Sequence, residues 1–197
     1  MRKLTTADIT DHREYERERE AFRAEIIAMK KRRRIPLGDV MTIVFENTAT
    51  MRFQVQEMAR AERMLSDEQI AHEVATYNEL IPDPGELSAT LFIEVTSAEG
   101  LPEWLPRLVG IQHHVVCLIG EAGDGVHAVR AYEPGEERLS REDRITASVH
   151  YLKFSFTPEE QALFATSPVR LVVDHPEYQV EVPLSDEQRA ELASDFA

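Results

Sequence analysis

The chain has 197 residues, 43% of them hydrophobic and 29% charged, and 36 acids against 22 Lys and Arg leave a formal net charge of −14. One Cys excludes a disulfide framework and any multi-thiolate metal site built by this chain alone, and no run of about 18 apolar residues is present to span a membrane. The acidic balance argues against broad contact with nucleic acid, and the polar opening Met-Arg-Lys-Leu-Thr-Thr-Ala-Asp is unlike a signal peptide, so a cytoplasmic protein is expected.

Thr5 and Asp8 have the spacing of a reciprocal cap and predict a short turn. Asp11 opens a long helix to about Arg33, with Tyr15, Phe22, Ile26 and Met29 as one apolar stripe and charge elsewhere. Five cations, residues 30–34, sit at its C-terminus, where the helix dipole favours them, and Pro36 ends it. Met41 to Phe45 reads as a strand. Thr48 to Leu65 alternates like a strand at first, but its length and its Gln, Glu, Met, Ala and Arg content favour a helix. Ser66 with Gln69 caps another helix, bearing Ile70, Val74 and Tyr77 on one face; residues 78–86 form a loop.

From Leu87 the period changes to two, through Ala89, Leu91, Ile93 and Val95. Pro102 starts a short helix that Gly110 stops. His113 to Ile119 and Val126 to Tyr132 read as a hairpin around Gly120, Gly123 and Gly125, followed by a charged loop from Glu133 to Arg144. Ser148 to Phe156 is a strand, and Thr157-Pro158-Glu159-Glu160 is the best helix start in the chain. Val169 to Val173 and Tyr178 to Val182 flank Asp174-His175-Pro176-Glu177 as a second hairpin, and Ser185 with Gln188 caps a terminal helix. This order predicts an α+β fold in a single domain, residues 1–197. A helix-rich part, 1–80, packs on a mainly antiparallel sheet built from hairpins in 87–197. A boundary near 80–86 is the alternative, but the first part alone offers one strand.

No complete catalytic constellation stands out. The glycines of 120–125 precede a strand rather than a helix, so they read as a turn and not a phosphate cradle. His113 and Cys117 would share a strand face roughly 13 Å apart, too far for common ligation. If residues 118 and 127 pair, His127 joins the face of His114. Glu68 and His72 are a lone pair. No metal site and no cofactor are expected. Cys117, inside Val-Val-Cys-Leu-Ile, reads as a buried thiol. His150 in mid-strand and His175 in a turn are the histidines least easily assigned to structure. The cluster 30–34 is either an anion or partner contact or a helix end paired with nearby acids. Most informative is the stretch around the second helix, with Glu46, Arg52, Gln54, Gln56, Glu57, Arg60 and Arg63. Arg52, Gln56 and Arg60 follow one another at i, i+4, so one face carries guanidinium and amide groups suited to a carboxylate, a polar ligand or a partner.

The stretch Phe-Glu-Asn-Thr-Ala-Thr-Met-Arg-Phe-Gln-Val-Gln-Glu-Met-Ala-Arg-Ala-Glu-Arg (45–63) carries a resemblance. So do Arg-Lys-Leu-Thr-Thr-Ala-Asp-Ile, Lys-Lys-Arg-Arg-Arg, Tyr77-Asn78 to Pro82, and Asp174-His175-Pro176 with Tyr178. Together they resemble the bacterial domain of unknown function 3501 family across nearly the whole chain. The resemblance implies no catalytic residue. It implies gene neighbours that encode a rubrerythrin and a cysteine-rich iron–sulfur oxidoreductase, hence an accessory role in redox or oxidative-stress metabolism. The expected function is a non-catalytic partner docking through Arg52, Gln56, Arg60 and Arg63. The alternative is an enzyme or small-ligand-binding protein, metal-dependent in one variant, with Glu46, Gln54, Glu57, His150 and His175 around a polar pocket.

Overall fold

Helix starts follow the capping logic of the sequence. In the computed structural model, which describes residues 1–95, 100–121, 125–135 and 145–196, the hydroxyls of Ser66, Thr157 and Ser185 each accept the amide three residues on. They open α3 (Asp67–Asn78), α5 (Pro158–Thr166) and α6 (Asp186–Ala193). Asp11 caps α1 (His12–Arg33), and Asn47, reciprocated by Thr50, caps α2 (Thr48–Ala61). The ambiguous segment is therefore a helix. A left-handed Gly110 follows α4 (Gly100–Arg107), a conformation open to glycine because it has no Cβ.

The strands are β1 (Arg34–Leu37), β2 (Met41–Glu46), β3 (Glu86–Ile93), β4 (Val115–Ile119), β5 (His127–Arg130), β6 (Val149–Ser155), β7 (Val169–His175) and β8 (Tyr178–Pro183). They form not one sheet but two, each antiparallel, in the orders β1-β2-β3-β6 and β5-β4-β7-β8. β1 lies beside β8, and Tyr132 bridges Lys153 of β6, so the two sheets meet along both edges. Ile43, Phe45, Leu91, Leu152 and Phe154 of the first sheet share one buried apolar cluster with Cys117, Ile119, Leu171 and Val173 of the second.

Three local readings change. Pro36 does not merely end α1: it sits in β1, an edge strand whose exposed–buried alternation puts Ile35 and Leu37 in the core. Proline is tolerated there because an edge strand leaves one row of amides without a sheet partner. His113 belongs to a 3₁₀ turn, Ile111–His113, that precedes the strand. The first hairpin pairs residue 119, not 118, with His127, which places His127 on the face of Cys117. Gly123 and residues 136–144 of the charged loop lie outside the described residues.

A second, smaller cluster lies between α2, α3 and the segment that precedes α1. Leu4, Met51, Val55, Val74 and Ile81 are its buried members. α1 packs across both α2 and β2.

Candidate functional site

The face of α2 that bears Arg52 and Gln56 is turned toward the chain's own residues 2–10. Gln56, only 2% exposed, accepts the Thr10 amide at 2.9 Å through Oε1 and donates Nε2 to the Thr10 carbonyl at 2.8 Å. One side chain thus makes the pair of bonds that a residue of a neighbouring antiparallel strand would make. Asn78, at the end of α3, repeats the device on Leu4: Oδ1 accepts its amide at 2.8 Å and Nδ2 donates to its carbonyl at 3.0 Å. Arg52 donates Nε to the Asp8 carbonyl at 2.8 Å and lies 5.2 Å from the Phe22 ring centroid. Thr48 donates its hydroxyl to the Arg2 carbonyl at 2.8 Å.

Two side chains of the segment have their own receptors. The Lys3 ammonium donates to the carbonyls of Asn78 and Ile81, at 3.1 and 2.6 Å, and lies 3.0 Å from Asp83. A cation is favoured at a helix C-terminus, where carbonyls lack intrahelical partners. Leu4 is buried among Met51, Val55, Val74 and Ile81. Asp8 folds back on Arg2 and the Thr5 amide, which hold its carboxyl well below the usual range. Beside Ile9 and Thr10 a cleft of about 240 Å³ opens between the segment and the two helices; Gln56, Arg60, Met64, Leu65, Asp67 and Ile70 are among its lining.

The remaining residues of the stretch face elsewhere. Glu57 binds α1, accepting Tyr15 at 2.7 Å and Arg19 at 2.8 and 2.7 Å. The Arg19 guanidinium draws its carboxyl down to about 2, while burial and the neighbouring carboxylate push the Tyr15 hydroxyl up. Arg60 pairs with Glu16 across the α1–α2 seam. Arg63 is exposed past the helix end with φ of 53°, and Gln54 is half-buried. Glu46 is buried on the outer face of the first sheet; Oε1 accepts from Thr90 at 3.3 Å, and Oε2 has no hydrogen-bond partner among the described residues.

The two histidines are distant in connectivity from that stretch. His150 bridges Glu133 at 3.0 Å and Thr146 at 2.9 Å. Burial works against the Glu133 carboxylate, yet bonds from His150 and the Tyr151 amide hold it below the ordinary value. His175 accepts the Glu177 amide at Nδ1, so its proton sits on Nε2, 3.2 Å from the Val109 carbonyl. Among the described residues, Glu46, Glu57, His150 and His175 share no hydrogen-bond partner, and none lines the cleft beside Gln56.

Three of the five cations in 30–34 are engaged within the chain. Arg33 is fully buried, donating to the carbonyls of Phe45 and Glu46 and to Glu191 and Asp195. Arg32 pairs with Glu191 and Arg34 with Glu94. Cys117 is buried, and desolvation pushes its thiol up to about 12, opposite to a nucleophile's setting. Gly38 lies under Tyr178, whose hydroxyl donates to the Leu37 carbonyl at 2.6 Å; any Cβ at Gly38 would collide with that hydroxyl.

Sequence reasoning passed over Lys3, Leu4, Thr10 and Asn78 as site residues. Their only local sign is a Lys–Leu pair next to a capped turn, because every contact that gives them a role spans more than 40 residues. Among known proteins, the family model described as "Protein of unknown function (DUF3501)" matches residues 3–196. A solved structure, a novel protein of unknown function from Burkholderia pseudomallei K96243, is 30% identical, covers all of both chains and superposes with a TM-score of 0.88. No curated protein matches the chain.

Proposed function

The chain belongs to the DUF3501 family of proteins of unknown function, and from that premise we propose that it is a non-catalytic accessory protein that works by binding a partner. The observation that carries this reading is the use made of Arg52 and Gln56. They grip the backbone of residues 8–10, just past a 3₁₀ turn at Thr6–Asp8, through the Thr10 amide and the Asp8 and Thr10 carbonyls, which is how proteins recognise peptides and not how they activate a substrate. Arg60, paired with Glu16, and Leu65, 86% exposed, line the adjacent cleft. The unit is read as one domain, in the cytoplasm, with no cofactor of its own.

The partner follows from the family resemblance: a rubrerythrin-type protein or a cysteine-rich iron–sulfur oxidoreductase, in redox or oxidative-stress metabolism. Affinity-tagged full chain expressed at native level should co-purify with one of these in near-equal amount, and the purified pair should bind on remixing. Purified candidates that fail to bind the chain at concentrations above those in the cell would overturn the reading.

A further inference from the structure

We propose that the groove between α2 and α3 is a peptide-binding site, held here by the chain's own residues 2–10, and that a Lys–Leu segment of a partner protein takes their place. The inference rests on the reading of the chain as a binding protein and names what that site recognises.

Four observations converge on it. The main-chain grip comes from two carboxamides, Asn78 on Leu4 and Gln56 on Thr10, each satisfying both an amide and a carbonyl. Such a grip is blind to side chains and transferable to another chain that turns between the two gripped residues, as Thr6–Asp8 does here. Specificity comes from adjacent receptors: carbonyls of Asn78 and Ile81 with Asp83 for an ammonium, and the Met51, Val55, Val74 and Ile81 pocket for a branched apolar side chain. Their order demands Lys followed directly by Leu.

The segment is also separable. Its last clamped residue is Thr10, and Asp11 already caps α1. α1 is pinned to α2 through Tyr15, Arg19 and Glu16, contacts in which residues 2–10 take no part. The segment can therefore leave while α1 stays. Finally, the cleft beside Ile9 and Thr10 leaves one end of the groove open to an incoming chain.

A tethered occupant competes at an effective concentration in the millimolar range, so a segment in trans enters when the chain's own segment is loosened. The test uses full-length protein carrying Lys3→Glu and Leu4→Ser, with a fluorescent synthetic peptide of residues 1–11 as probe. The variant should bind the peptide at least about tenfold more tightly than the native chain does, and a peptide carrying Lys3→Glu should not bind. A variant that is folded by circular dichroism yet binds no peptide overturns the proposal, while leaving the co-purification result, and the broader reading, standing.

Should the variant fail to fold, hydrogen exchange on the native chain decides. The Leu4 and Thr10 amides should exchange at least about tenfold faster than those of Leu91 and Leu171, as a separable unit. Exchange of all four together would mean the segment opens only on global unfolding, and would overturn the proposal. Copies that trade segments, seen as a dimer of the native chain in size-exclusion chromatography, would seat a second copy in the groove and overturn the partner assignment.

Discussion

Among the described residues, twenty-five buried apolar side chains form the cluster shared by the two sheets and the helices and turns packed on them, whereas five form the one between α2, α3 and the 2–10 segment. The sheets share one apolar core, whose burial at roughly 25 cal/mol per Å² involves no group that titrates near neutral pH. The helical part makes up the deficit with directed polar bonds, namely Glu57 to Tyr15 and Arg19, Gln56 to Thr10, Asn78 to Leu4 and Arg60 to Glu16. Each of those can be exchanged for a bond to water or to another chain. The contrast therefore separates an apolar scaffold from a part held by exchangeable bonds, and the recognition proposed above is placed in the second.

The contrast can be broken most severely at the joint between the two parts. Arg33 reaches from α1 to the last residues of β2, to Glu191 of α6 and to Asp195 just past it. Arg33→Ala leaves two carboxylates and two carbonyls without their shared donor and should cost about 3–5 kcal/mol in urea unfolding, since breaking a buried pair strands its charge. Arg33→Met with Asp195→Leu should recover much of the loss, because the stranded charge goes too. Within the scaffold, Phe154→Ala removes a fully buried ring and should cost about 3–4 kcal/mol, unchanged between pH 5 and 8.

In the helical part the expected loss is smaller and depends on pH. Glu57→Gln keeps the shape but weakens the bonds to Arg19 and Tyr15, and should cost about 1–2 kcal/mol at neutral pH. The folded carboxyl titrates near 2 against an ordinary 4.5. Its contribution is therefore complete above pH 4.5 and is lost as the pH falls toward 2. Stability curves of the native chain and the variant, measured at stepped pH, should converge across that window. Curves that stay parallel would mean the Glu57 contacts do not hold α1 in solution.

Legibility in the sequence followed the same division. Caps at Ser66, Thr157 and Ser185, and the alternation in β3, β6 and β7, are local patterns, and local patterns survive into the fold. β1 was missed because Pro36 after five cations reads as a helix stop, although the alternation of Ile35 and Leu37 was present. The one-residue shift at His127 arose because a six-residue Gly-rich turn does not determine register. That Arg52, Gln56 and Arg60 share one side of a helix was legible from their i, i+4 spacing. What it binds was not, since Thr10 and Gln56 are 46 positions apart and no period links them. Nor could spacing reveal that Arg33, inside an evidently solvated run of cations, would be the buried one.

The smallest expected effect sharpens the comparison rather than breaking it. Arg60 and Glu16 join α2 to α1 as Arg19 and Glu57 do, but their side chains are 37% and 40% exposed, against 21% and 26% for the inner pair. Water screens an exposed pair, and holding two long side chains in one geometry costs entropy. Arg60→Ala should therefore lower stability by no more than about 1 kcal/mol. At about 1 M salt, where the Debye length is about 3 Å, the difference should vanish, while that of Glu57→Gln should persist in part. If Arg60→Ala instead costs as much as Glu57→Gln and resists salt, the cleft wall is a structural strut, and its arginine is not available to a ligand.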